Sequence, residues 1–281
     1  MPYECFDVEI AGHIAHIRLK RPDQLNTMIR PFWNELPEIV DDIDANAKAR
    51  VIVLSSTGKH FTAGMDLSVF TEGDEAMGGG DEVETGRRRH ALRDFTKHLQ
   101  DSFTSLERAR MPVLAAIQGG CVGGGVDMAS ACDIRYATRD AFFCIQEINI
   151  GMTADVGTFP RLCHLIPDGW VRELAYTGRR LGAEKAREIG LVNEVYDSHE
   201  AMLDAVMATA REIADRSPLA VAGSKVMINY ARDHTVADGL DYIATWQTGM
   251  FQPADMMESF AARTEGRAPR FQELQPLRRK M

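Results

Sequence analysis

Val113-Leu114-Ala115-Ala116-Ile117-Gln118-Gly119-Gly120-Cys121-Val122-Gly123-Gly124-Gly125-Val126-Asp127 is the stretch on which the fold turns. Five consecutive apolar residues fit a strand buried on both faces, as parallel strands beneath crossover helices are. The glycines that follow let bare backbone come close to a ligand, and they open onto a helical pattern from Val126 to Ala131. A helix start leaves N–H groups without intrahelical partners, and its dipole favours negative charge nearby.

The same arrangement stands upstream. Val51-Ile52-Val53-Leu54-Ser55 is another apolar run, followed by the small-residue loop Ser55-Ser56-Thr57-Gly58-Lys59-His60-Phe61-Thr62-Ala63-Gly64-Met65-Asp66-Leu67. Two such loops, each after a buried strand, can supply two backbone donors to one oxygen, which makes an oxyanion hole. Each glycine cluster alone would read as a tight turn, and neither has the spacing of a phosphate-binding loop.

Around these runs, Ile14 to Leu19 alternates as a strand, and Pro31 to Ile43 has helical spacing at Phe32, Leu36, Ile39, Val40 and Ile43. Phe95 to Arg108 reads as a helix, and Ile134 to Ala137 and Phe142 to Ile145 as strands. Alternating strands and helices predict an α/β fold with parallel strands. Thr71 to Gly86, acidic and glycine-rich, is expected to be a mobile loop. After Val195 strand signals stop, and Glu200 to Arg216, Pro218 to Ala231, Val236 to Phe251 and Asp255 to Arg263 read as helices. The expected organisation is therefore a core over residues 1–199 and a helical oligomerisation region over 200–281.

Composition narrows the function. The 281 residues are 45% hydrophobic and 26% charged, with a net charge of −9 that argues against a nucleic-acid partner. No apolar run reaches membrane-spanning length. The five cysteines lack CxxC spacing and the eight histidines lack HxxxH spacing, so no metal is expected and a reduced intracellular protein is. The N-terminal stretch carries acids where a targeting peptide carries bases, and the last residues are not Ser-Lys-Leu, so cytoplasm is the expected location.

Downstream, Gln146-Glu147-Ile148-Asn149-Ile150-Gly151-Met152-Thr153-Ala154-Asp155-Val156-Gly157 sets two carboxylates on either side of a strand-like segment and a glycine turn. Two acids at one pocket can take a proton from one carbon and return it to another. Structural roles compete with this reading. Asp127 can cap near a helix start, Asp155 can cap a helix beginning around Val156 to Thr158, and Glu147 can pair with Arg161.

The segment Ile117 to Ala137 and the loop Ala63-Gly64-Met65-Asp66-Leu67 resemble the crotonase, or enoyl-CoA hydratase/isomerase, superfamily, a likeness that continues through Tyr176 to Ala186 and Gly190-Leu191-Val192-Asn193. The resemblance implies a spiral of ββα turns with a helical C-terminal trimerisation region, an acyl-CoA thioester substrate, no separate cofactor, and a homotrimer or dimer of trimers. It places the oxyanion donors on Met65 and Gly124, with Ala63, Gly64, Asp66 and Leu67 along the substrate. Asp127 and Glu147 fall where a hydratase has its catalytic glutamates, whereas Asp155 replaces a small residue. That three-acid register is similar to the Δ3,5-Δ2,4-dienoyl-CoA isomerases; Cys144-Ile145-Gln146 and Thr153 depart from their usual residues. The implied reaction shifts both double bonds of a 3,5-dienoyl-CoA, with Glu147 at C2 and Asp155 at C6 (or the reverse) and Asp127 tuning the site. A hydratase, and a crotonase-like binding protein with little catalysis, are the alternatives.

Overall fold

The computed structural model describes residues 2–66, 68–71, 84–251 and 253–277. In chain order the elements are β1 (Phe6–Ala11), β2 (Ile14–Leu19), α1 (Arg30–Ala45), β3 (Val51–Ser56), α2 (Ser68–Thr71), α3 (Thr85–Arg108), β4 (Val113–Ile117), β5 (Gly120–Val122) and α4 (Gly124–Ser130). There follow β6 (Ile134–Thr138), β7 (Phe142–Cys144), α5 (Thr158–Leu162), α6 (Asp168–Thr177), β8 (Leu181–Gly182), α7 (Ala183–Glu188) and β9 (Glu194–Tyr196). Helices α8 (His199–Ala214), α9 (Pro218–Tyr230), α10 (Val236–Met250) and α11 (Pro253–Glu265) complete the chain.

Six strands form one sheet in the order β1-β2-β3-β4-β6-β9, and β5-β7-β8 form a smaller one. From β2 to β9 the large sheet is parallel, as the alternation predicts. The antiparallel exception is the β1–β2 hairpin, a pairing the alternation of strands and helices does not announce. Its two-residue turn puts Gly12 and His13 at φ 55 and 65, the conformation that suits the twist of paired strands.

All six residues of β3 and all five of β4 are buried, so each strand serves two cores. Ile52, Leu54, Val113, Ala115 and Ile117 face the core beneath α1 and α3. Val51, Val53, Leu114 and Ala116 face the other way, against Met202, Val206 and Ala210 of α8. Helix α8 is thus the cover of the sheet's second face, although it falls almost wholly in the region 200–281 expected to serve oligomerisation. Helix α1 holds despite Pro37, which removes one intrahelical hydrogen bond, because Phe32, Trp33, Leu36, Ile39, Val40 and Ile43 are all buried along one side.

Beyond α8 the packing thins. Helix α10 has no buried residue among those described, and Ile228, Val236, Leu240, Met257 and Phe260 stand exposed on α9 to α11. The loop expected from Thr71 to Gly86 lies mostly outside the described residues. Its last two positions, Thr85 and Gly86, already belong to α3, whose N-terminus is capped by the Glu84 carboxylate accepting from the Gly86 and Arg87 N–H groups.

Candidate active site

The loop after β3 is fixed by hydrogen bonds that leave one donor over. Met28 N–H donates to the Gly64 carbonyl at 2.8 Å, and Asp66 N–H donates to the Met28 carbonyl at 3.1 Å. In a parallel bridge of this kind the intervening residue, Met65, turns its own N–H the other way, and among the described residues nothing accepts it. Asp66 accepts from the Thr27 hydroxyl at 2.7 Å and from Ser68 N–H at 3.0 Å, which hold its carboxyl below the usual range. Buried Asn26 donates to the Thr57 and His60 carbonyls at the loop's base.

The second donor comes from the glycine run. Gly123, at φ 54, donates to the Cys144 carbonyl at 2.9 Å, and Gly124 then opens α4 with its N–H unclaimed among the described residues. Met65 and Gly124 both line a cavity of about 920 Å³. Gly64 sits between the two loops at φ +87, and a Cβ there would lie 2.7 Å from the Val122 carbonyl oxygen. Gly64→Ala therefore has to move one donor loop against the other. Its expected cost in turnover is on the order of 10²-fold, that of an oxyanion donor, with the circular dichroism spectrum unchanged. Unimpaired turnover would show that the loop spacing is not critical.

The three acids do not stand alike. Glu147 begins a 3-10 turn, Glu147–Ile150, and lines the cavity; its Oε2 is buried and has no hydrogen-bond partner among the described residues. Burial raises its pKa, and the nearby charge of Asp155 raises it further. Asp155 lies on the connection between Gly151 and Gly157, open to solvent through the cavity yet enclosed enough by protein for its pKa also to rise. Asp127 is fully buried behind the cavity wall. Its Oδ1 accepts from Thr158 N–H at 2.6 Å, its Oδ2 has no partner among the described residues, and burial with the charge of Glu147 pushes its pKa to about 7.

The structural roles weighed for these acids resolve one by one. Asp127 does cap a helix, but α5 rather than the α4 on which it sits. Helix α5 has Gly157 at its N-cap with no side-chain bond, so Asp155 does not cap it. Arg161 pairs with Glu107 at 3.0 Å and donates to the Thr104 hydroxyl, which leaves Glu147 without that partner. The segment between the acids is not strand-like. Ile148 and Ile150 alternate in sequence, but both are exposed, and Gly151 at φ 78 ends a helical turn instead. Asn149 pins that turn by donating to the Gly178 carbonyl at 3.0 Å.

His60 is half-buried and accepts from Gly120 N–H through Nδ1 at 2.9 Å, joining the two oxyanion loops. Lys225 is buried and donates to the Leu106 and Met111 carbonyls and to Asp133. Ala63, Gly64 and Asp66 line the cavity; Leu67 lies outside the described residues. Sequence reasoning missed the walls supplied by Trp33, Leu92, Phe95, Thr96 and Leu99, and also Arg180, whose guanidinium lies 4.2 Å from the centre of the Phe142 ring. The amphipathic spacing of α3 was the available signal for the walls; nothing local marks Arg180.

A cavity lined by two free N–H groups and two carboxyls suits an acyl thioester whose carbonyl becomes an enolate. The sequence profile of enoyl-CoA hydratase/isomerase matches residues 9–275. The chain belongs to this family. Its similarity to the protein named Delta(3,5)-Delta(2,4)-dienoyl-CoA isomerase, mitochondrial, of Homo sapiens is 44% identity over 267 residues, covering 94% of this chain and 80% of that one. The peroxisomal protein of the same name from Arabidopsis thaliana is 39% identical, covering 93% of each. The crystal structure of enoyl-CoA hydratase from Bacillus anthracis superposes with a TM-score of 0.83 at 30% identity, over 95% of this chain and 99% of that one. The fold expected from the family resemblance, a mixed α/β core with a helical C-terminal region, is the fold found.

The same relatives correct the expected location. Those named dienoyl-CoA isomerases are called mitochondrial or peroxisomal, which overturns the cytoplasmic expectation. The reason is physical. The expectation rests on acids near the N-terminus and on last residues other than Ser-Lys-Leu, short stretches on which the folded core does not depend.

Proposed function

We propose that this enzyme is a Δ3,5-Δ2,4-dienoyl-CoA isomerase acting on unsaturated acyl-CoA thioesters in β-oxidation. The observation that carries the reading is the pairing of Glu147 and Asp155 on one cavity with the unclaimed N–H groups of Met65 and Gly124. The 44% identity to the human protein of that name supports it.

In this reading the thioester oxygen accepts from Met65 and Gly124. Ionised Glu147 takes the proton at C2, and the electron pair spreads from the oxygen to C6 as a trienolate. Protonated Asp155 delivers its proton at C6, which leaves double bonds at C2 and C4. Glu147 ends protonated and Asp155 ionised, and a proton exchange through the solvated cavity restores both. Burial raises the pKa of both carboxyls, which favours one proton being held between them. Asp127 holds the start of α5, the helix that follows Asp155, and burial together with the charge of Glu147 raises its own pKa. The shift is redox-neutral and the chain's own acids carry it, so the reading calls for no cofactor beyond the acyl-CoA itself.

Hydration of a 2-enoyl-CoA is the nearest competing reaction, and Asp155 distinguishes the two. Purified protein with a 3,5-dienoyl-CoA should give a rise in ultraviolet absorbance from new conjugation with the thioester. No rise, with loss of absorbance from a 2-enoyl-CoA instead, would move the assignment to hydratase. We further propose a trimer or dimer of trimers, which the exposed apolar side chains of α9 to α11 support. Light scattering on the same sample, read against the 31.2 kDa chain, tests that.

A further inference from the structure

We infer that Gln100 is a positioning residue for Asp155, an inference that rests on the isomerase reading above. Asp155 stands on a connection without regular structure, between the 3-10 turn and α5. On either side of it Ala154 and Val156 are buried in the core, so the chain alternates inward and outward and presents Asp155 to the cavity. Packing fixes the depth of such a segment but does little to stop it sliding or rotating about its length. A directional contact does that.

Among the described residues, one hydrogen bond ties the main chain of Thr153 to Val156 to another element. The Gln100 side-chain N–H donates to the Asp155 carbonyl oxygen at 2.7 Å. Gln100 belongs to α3, one turn beyond Thr96 and next to Leu99, both of which line the cavity. The helix is itself tied to α5, where Arg161 reaches Glu107 and Thr104. Helix α3 therefore holds the acyl wall and the Asp155 carbonyl in one rigid frame. Gln100 does not line the cavity, so its effect passes through Asp155 and not through contact with substrate. Misplacing a proton donor by a fraction of an ångström slows transfer without weakening binding.

Gln100→Leu removes the donor at similar size, and Gln100→Glu replaces it with a near-isosteric acceptor. Each should lower kcat for 3,5-dienoyl-CoA about tenfold with KM within about twofold, as expected for the loss of one orienting hydrogen bond. In an Asp155→Asn background the same changes should add less than about twofold, because nothing is left to position. Hydrogen exchange over residues 152–157 should quicken in both variants while the thermal midpoint holds. The inference is overturned by an unchanged kcat, by an equal loss in the Asp155→Asn background, or by unchanged exchange in a variant that folds. If the parent protein does not isomerise the dienoyl substrate, the isomerase reading fails first and the positioning role falls with it. If the parent isomerises and loses activity on Asp155→Asn while Gln100→Leu does not, only the present inference fails.

Discussion

Asp155→Asn is expected to lower isomerisation of a 3,5-dienoyl-CoA by about 10²–10⁴-fold, the usual worth of a general acid, while exchange of the C2 proton with solvent survives. Glu147→Gln should lose both. The two outcomes differ because the acids act on different carbons. With Glu147 intact and two backbone donors in place, the C2 proton can still leave to give the trienolate. Without a donor at C6, that species returns to starting material and picks up solvent deuterium at C2. Proton NMR in heavy water reads this directly, as loss of the C2 signal without product.

The charges sharpen the test. Parent turnover needs Asp155 protonated as well as Glu147 ionised, so C2 exchange in Asp155→Asn, which needs only ionised Glu147, should persist to higher pH than turnover does in the parent. If Asp155→Asn abolishes exchange and Glu147→Gln preserves it, the roles are reversed. If both variants turn over normally, neither acid is catalytic, and the cavity serves another reaction or none.

How much of this was legible in the chain depends on whether the signal is local. Val51 to Ser55 and Val113 to Ile117 announce buried strands because both of their faces are covered, and they are found as β3 and β4. The α9 to α11 helices follow from spacing and punctuation by proline, and each lies within a few residues of where it was expected. The glycine run was read for its backbone, and Gly123 at φ 54 and Gly64 at φ +87 give that reading its physical content. Failures came where a partner from elsewhere decides the outcome. Ile148 and Ile150 alternate like a strand, but no neighbouring strand pairs with them and Asn149 anchors them to Gly178 instead. His60, Lys225 and Gln100 look like surface side chains until β5, β4's flanking loops and the Asp155 connection are brought to them. That α8 packs on the sheet depends on the inner faces of β3 and β4, which no property of α8 alone reveals.

The second large effect concerns stability and belongs to Asp127. An acid whose pKa rises from 3.8 in the open chain to about 7 in the fold binds more protons when folded across that interval. Stability must then fall as pH rises from about 4 to about 7, because unfolding releases the buried carboxyl to ionise in water. Raised pKa values at Glu147 and Asp155 act in the same direction. Ion-paired carboxylates work in a different window. Glu258, held at about 2 by Arg267, gives support that is lost only as pH falls below the ordinary carboxylate range. The Asp127 contribution is therefore separable by pH. Asp127→Asn keeps an oxygen for the Thr158 N–H and removes the buried ionisable group. Its unfolding free energy, relative to the parent, should rise between pH 4 and 7 and level off above, by an amount on the order of a few kcal/mol at about 1.4 kcal/mol per unit. Isomerisation should fall by less than about tenfold, since an acid behind the cavity wall is not asked to meet a reacting carbon. Denaturant unfolding of both proteins at four or five pH values decides it. A difference that is flat with pH would mean that Asp127 is ionised throughout, and that its unpartnered oxygen is stabilised by something other than a proton.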